Sequence, residues 1–216
     1  MCRHPEARPP HEGPFRILTV CTGNICRSPQ AEQLLRARLP QAVPGAGESM
    51  LEVTSAGTIA LDGNPMERDA AAEAIRLGIA DTESHRARRL RTAQIEHADL
   101  VVALATEHRG AVVRAVPSAP RRTFTLIEFT RLVEMLADDR ASGRVVPPGT
   151  DGAVAFLRRV VEAAADARGL LPLAATREID VDDPYGRSAR AYRRSADAVA
   201  EHVDRLGIAL GALARR

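Results

Sequence analysis

The sequence has no tryptophan and no lysine, two tyrosines, four phenylalanines, three cysteines and almost no net charge. Each shortage closes a class of explanation. Three cysteines, odd in number and unevenly spread, do not make the disulfide framework of a small secreted scaffold. Thirty basic side chains, all arginine, face 28 acidic ones for a net +2. That balance is not a nucleic-acid footprint, although the sequence pI of 8.7 taken alone points towards one. No run approaches the ~20 apolar residues of a membrane span. No signal-peptide pattern opens the chain. The expectation is a cytoplasmic protein with no nucleic acid and no membrane among its partners; the sequence assigns no oligomeric state. Its 216 residues, 45% hydrophobic and 27% charged, suffice for one globular domain with a proper core.

What the chain does hold is concentrated between residues 15 and 36. Phe15 to Val20 is a short apolar run that reads as a buried strand. From Ser28 the spacing turns helical, with Ala31, Leu34 and Leu35 on one face; Ser28 reads as the N-cap and Pro29 as the first helical residue. Between strand and helix lie Cys21, Gly23, Asn24 and Arg27. Gly23 and Asn24 tolerate positive φ, so the loop can curl until its N–H groups point inward. The positive end of the helix aims at the same spot, and the Arg27 fork matches phosphate oxygens. All three favour a thiolate at Cys21. The pattern is an anion site with a nucleophile at its floor.

The rest of the chain alternates strands and helices. Residues 1–14, with four prolines, read as a disordered tail that includes Cys2 as a bystander thiol. The first helix is expected over 28–39, ended by Pro40. Strands are expected at Leu51–Ser55, Asp99–Leu104 and Thr123–Leu126, and helices at Met66–Leu77 and Thr106–Val116, with a turn at Asp62–Pro65. A helix continues through Leu132, Val133 and Leu136, a polar turn spans Asp138–Asp151, and helices follow at Ala153–Ala167 and from about Ser188 to Ala214. A single domain is expected over 15–216, its pattern loosening after Glu128. Its Arg158-Arg159 pair either faces an acidic substrate segment or is a solvated helix face. Such alternation implies βαβ units and a parallel sheet, with ligands beyond the strands' carboxyl ends, where Cys21 lies.

Cys21-Thr22-Gly23-Asn24-Ile25-Cys26-Arg27-Ser28-Pro29 resembles the phosphate loop of the low-molecular-weight protein tyrosine phosphatases at every fixed position. The resemblance implies an α/β fold, a four-stranded parallel sheet with helices on both faces, and makes residues 131–180, longer than the family's counterpart, an insertion on the single domain 15–216. It implies that Ser55, in Ser55-Ala56-Gly57-Thr58, and His85, in His85-Arg86-Ala87-Arg88, brace Asn24; each could otherwise be an ordinary structural residue. It makes Asp183, in Asp183-Pro184-Tyr185, the general acid, with Asp182 the neighbouring candidate. Cys26 either simply packs or forms a reversible disulfide that protects Cys21.

The implied reaction needs neither cofactor nor metal. Cys21 attacks the phosphorus of a phosphotyrosine or aryl phosphate while Arg27 and the N–H groups of residues 22 to 27 hold the oxygens. Asp183 protonates the leaving oxygen, then activates the water that cleaves the phosphocysteine, with Ser28 stabilising the departing thiolate. A bell-shaped rate profile on the acid side of neutrality follows. The expected partner is a phosphotyrosine-containing protein. The sequence departs from the family at the substrate slot, where Leu61 replaces a usual aromatic, only Tyr185 remains after Asp-Pro, and Leu104-Ala105 stands for Met-Asp. Two other classes share the pattern: an arsenate reductase of the same fold, which would need resolving cysteines absent after Leu77, and a phosphoprotein-binding module without turnover.

Overall fold

A computed structural model describes residues 13–45, 47–141, 152–171 and 178–215. Four parallel strands, β1 (Phe15–Cys21), β2 (Leu51–Gly57), β3 (Leu100–Ala103) and β4 (Thr123–Thr125), form one sheet in the order β2-β1-β3-β4. In β1, Ile17 pairs with Val53 of β2 and Leu100 of β3. Successive side chains of a strand point to opposite faces, and the two faces bury different helices. Phe15, Ile17 and Val102 pack with α1 (Arg27–Ala42), α5 (Leu126–Ala141), α6 (Gly152–Ala167) and α7 (Ala189–Ala214). Leu18, Val20 and Val101 pack with Ile95 of α3 (Thr92–His97) and Val112 of α4 (Thr106–Ala115). The remaining helix, α2 (Arg68–Arg76), begins at Glu67, whose carboxylate accepts the N–H groups of Asp69 and Ala70. The parallel sheet with helices on both faces is the architecture expected from the sequence.

Four expectations are corrected. Helix α1 begins at Arg27, with Cys26 rather than Ser28 in the N-cap position and no side-chain bond closing it; the Ser28 hydroxyl is engaged inside the loop. Pro40 lies within α1 instead of ending it; so near the end its missing N–H removes a single bond, and Val43 N–H still closes on Leu39. Helix α5 runs through 138–141, where a polar turn was expected. Arg158 is neither a solvated nor a substrate-facing charge. Its Nε pairs with Asp99 at 3.2 Å, while the other Asp99 oxygen accepts Arg16 N–H at 2.9 Å, at the amino ends of the central strands. Helix α3 was not foreseen. The tail through residue 12 with Cys2, the turn at 142–151 and residues 172–177 lie outside the described residues. Among the described residues no helix is long and apolar enough to cross a membrane.

Candidate active site

The carboxyl end of β1 delivers Cys21, and α1 starts six residues later at Arg27. Asn24, between them, has φ +56° and is fully buried, a conformation that survives only where neighbours over-determine it. Four bonds do so. Its Nδ2 donates to Ser28 Oγ at 2.9 Å and to Ser55 Oγ at 2.8 Å. Its Oδ1 accepts Arg88 N–H at 2.8 Å, and its backbone oxygen accepts His85 Nε2 at 2.7 Å. A carbonyl only accepts, so His85 carries its proton on Nε2; burial pulls its pKa below the ordinary histidine value. Ser55 donates onward to Glu32, which also pairs with Arg36.

The loop also rests against β2 and the segment after it. Thr58 N–H donates to Cys21 O and Ile59 N–H to Thr22 O, each at 2.9 Å, and Leu61 N–H to Gly23 O at 3.3 Å. With three carbonyls bound outward, the amides of the curled backbone are left for the bowl. Gly57 permits this contact: a Cβ there would stand 2.6 Å from Thr22 O and 3.0 Å from Asn24 N.

Cys21 Sγ lies 2.9 Å from Ser28 Oγ. Because that oxygen accepts Asn24 Nδ2, the Ser28 proton is free to donate to the sulfur. Both Cys21 and Cys26 are free and buried. Burial, followed by the charge of Cys21, pushes the Cys26 thiol up, which keeps Cys26 protonated. Arg27 is 3% exposed. Its NH1 donates to Val181 O at 3.0 Å, its NH2 pairs with Asp183 Oδ2 at 2.7 Å, and its Nε is buried without a partner among the described residues. Nε and NH2 are the two donors that a phosphate would take as a fork.

Asp183 comes from the segment before α7. Val181 N–H donates to Leu104 O at 2.9 Å, just beyond β3, and Asp180 accepts Thr106 N–H at 2.8 Å and Thr106 Oγ1 at 3.0 Å at the start of α4. These two ties bring Asp183 over Arg27 with its side chain 45% exposed. Asp182 is exposed, and it is Asp183 that reaches Arg27. Gly186, at φ +70°, donates to Tyr192 Oη at 3.3 Å; burial, then the charge of Cys26, pushes the Tyr192 hydroxyl up to about 12.

Leu61 and Tyr185 are 43% and 59% exposed, and Ile59, 68% exposed beside Thr22, joins them. Sequence reasoning missed Ile59, Glu32 and His108. His108 is 1% exposed, with Nε2 at 2.9 Å from Thr22 Oγ1. Burial, then the charge of Arg27, pulls its pKa down to about 4. Glu32 had a signal, since it stands four residues after Ser28 on the same helix face; His108 had none. Among the described residues no group of three or more histidine, cysteine, aspartate or glutamate side chains is placed to hold a metal ion.

Residues 16–141 match the family model for low molecular weight phosphotyrosine protein phosphatases. The chain belongs to this family. A protein-arginine-phosphatase of Geobacillus stearothermophilus is 30% identical over 193 residues, covering 89% of this chain and 94% of that relative. The low molecular weight protein-tyrosine-phosphatase Etp of Escherichia coli K12 is 38% identical over 107 residues, half of this chain and 66% of Etp. Among solved structures, the YwlE arginine phosphatase of Geobacillus stearothermophilus superposes with a TM-score of 0.57 over 90% of this chain and 91% of that one, at 30% identity. A phosphatase of this family from T. tengcongensis gives a TM-score of 0.59 over 89% and 97%, at 28% identity. The family is one of phosphatase enzymes, and its architecture is the one described above.

Proposed function

We propose that this chain hydrolyses phosphotyrosine and other aryl phosphate monoesters through a phosphocysteine on Cys21. The observation that carries the reading is the convergence on one guanidinium. Arg27, in the loop that holds Cys21 Sγ on Ser28, also holds the carboxylate of Asp183 at 2.7 Å. Nucleophile, anion fork and acid therefore meet in one pocket. A substrate phosphoryl group replaces Asp183 on the Arg27 fork. Cys21 sulfur then forms a bond to phosphorus as the bond to the aryl oxygen breaks, and Asp183 gives that oxygen its proton. That proton comes from solvent, taken up by the Asp183 carboxylate once the phosphoryl group has displaced it from Arg27; in the second half, Asp183 takes a proton from water, water oxygen attacks phosphorus, and the thiolate leaves towards the Ser28 hydroxyl. The backbone amides and Arg27 supply fixed positive charge for the equatorial oxygens in both steps.

The rim favours an aryl leaving group. Ile59, Leu61 and Tyr185 are three of the six large exposed hydrophobic side chains among the described residues, and all three border this pocket. A phenyl ring covers such walls, whereas a phosphorylated guanidinium would need acceptors there. Phosphoarginine remains the second reading, because the relative that aligns over 89% of this chain is an arginine phosphatase. Parallel kinetics on phenyl phosphate, a phosphotyrosine peptide and a phosphoarginine peptide decide between them. The expected outcome is turnover of the first two, with kcat/KM for phosphoarginine lower by at least about tenfold. The reverse order overturns the tyrosine assignment. Cys21→Ser is expected to lower turnover of every substrate by on the order of 10⁴-fold or more; residual activity near wild type would remove the phosphocysteine route. Peptide mapping after mild peroxide, with a Cys21–Cys26 link in place of overoxidised Cys21, would show Cys26 in its protective role.

A further inference from the structure

Part of the arginine charge of this chain is paired with carboxylates. Arg16, Arg38, Arg109, Arg158 and Arg205 each meet a carboxylate at 2.7–3.2 Å. The segment 84–95 is different. It carries Arg86, Arg88, Arg89 and Arg91 and no acidic residue, and all four side chains are exposed. Arg86 turns one nitrogen back on the carbonyls of Glu83 and His85. Arg88, Arg89 and Arg91 have no ion pair among the described residues. Four exposed arginines between residues 84 and 95, with no acid among them, make a patch of one sign that attracts negative charge.

The position of this segment says what brings it. Arg88 N–H holds Asn24. Gly57 N–H donates to Arg88 O at 2.9 Å and Leu90 N–H to Gly57 O at 2.8 Å, which pairs Arg89 with Gly57 as in a parallel sheet. Registered residues of a parallel pair project to the same side. Gly57 faces Thr22 and Asn24 on that side, so Arg89 rises beside the phosphate loop. Ala87 exchanges bonds with the 61–64 turn, through Gly63 N–H to Ala87 O and Ala87 N–H to Asn64 O, both at 2.8 Å. The arginine ridge is thus continuous with the Ile59–Leu61 wall. A chain leaving the pocket in extended form, at about 3.3 Å per residue, crosses it within a few residues. Asp62, on the turn beside Ala87, is an exposed acid on this side of the rim, and Asp182 and Asp183 are exposed on the other segment. Arg187 and Arg190, beyond the Asp183 segment, are exposed as well.

We propose that the 86–91 ridge is a specificity surface that selects phosphotyrosine segments whose flanking residues are aspartate or glutamate. The proposal rests on the phosphotyrosine reading above. It assigns the pocket the phosphate and the aryl ring, and the ridge the charge of the flanks. Such exposed pairing acts chiefly on encounter and KM, and salt screens it.

The test compares the full-length protein with the double variant Arg89→Glu/Arg91→Glu on three substrates: p-nitrophenyl phosphate, an acid-flanked phosphotyrosine peptide and an otherwise identical peptide with serine and alanine flanks. The wild type is expected to favour the acid-flanked peptide by about tenfold in kcat/KM, mostly through KM, with the preference shrinking as salt is raised. The variant should lose that preference while p-nitrophenyl phosphate turnover stays within about twofold. Equal turnover of both peptides by the wild type, or a preference that persists in the variant, overturns the proposal. Turnover of p-nitrophenyl phosphate with neither peptide accepted would instead sink the phosphotyrosine reading, and this one with it.

Discussion

Asn24 and Asp183 serve the same pocket, yet the first is fully buried under four hydrogen bonds and the second stands nearly half exposed on one ion pair. The partners of Asn24 come from three places in the fold: Ser28 on α1, Ser55 on β2, and the 85–88 stretch. Those of Asp183 are Arg27 and the N–H of Tyr185 in its own segment. The difference matches the chemistry proposed for each. Oxygens of a phosphoryl group need donors fixed before they arrive, since reorganising dipoles during the reaction costs part of the stabilisation. In the reaction proposed above, Asp183 has to leave Arg27, meet one oxygen, and then handle water. Rigidity belongs to the first task and freedom to the second.

Asp183→Asn is the largest break. It should lower kcat for phenyl phosphate by about 10²- to 10³-fold while the unfolding midpoint barely moves; a fall smaller than tenfold would remove Asp183 from proton transfer. Asn24→Ala should behave oppositely. Ser28, Ser55 and Arg88 lose a buried partner and a non-glycine residue must still hold φ near +56°, so stability should fall by about 2–4 kcal/mol in denaturant unfolding, with catalysis reduced alongside. Unchanged stability would mean that the loop is not braced through Asn24.

The smallest effect separates the pocket wall from both. His108 is held neutral, its pKa pulled from 6.5 to about 4 by burial and then by Arg27. The unfolded chain therefore binds this proton first as pH falls. Stability is unaffected above about 6.5 and is lost progressively between 6.5 and 4, by up to on the order of 3 kcal/mol. His108→Asn should flatten that part of the pH–stability curve. His85 and His202, also pulled down by burial, keep the remaining slope. A curve identical to wild type would show that His108 does not carry the term.

Much of this was legible in the sequence because strands, loop and helix are contiguous there. The apolar run Phe15–Val20, the Gly23-Asn24 pair and the helical spacing after Ser28 are local signals, and local signals give β1, the loop and α1. What escaped depends on contacts between distant segments. Ser28 has the chemistry of a cap; its near neighbours Asn24 and Cys21 claim its hydroxyl because Ser55, His85 and Arg88, far away in sequence, hold Asn24 in its curled conformation. Glu32 reads as one more exposed helix charge until Ser55 arrives from β2. His108 looks like any histidine near the start of a helix; only β3 lying beside β1 brings it to Thr22. Helix α3, six residues long, is too short to show a period.

At Gly57 the sheet and the phosphate loop are in backbone contact, with no room for even a methyl group between them. The bowl is thus moulded against the end of β2 as a casting is against its form, and its curvature is a property of the sheet's edge as much as of the loop's own residues. A single carbon added at residue 57 would act as a wedge, reshaping the nest around the sulfur while leaving every reactive side chain unaltered.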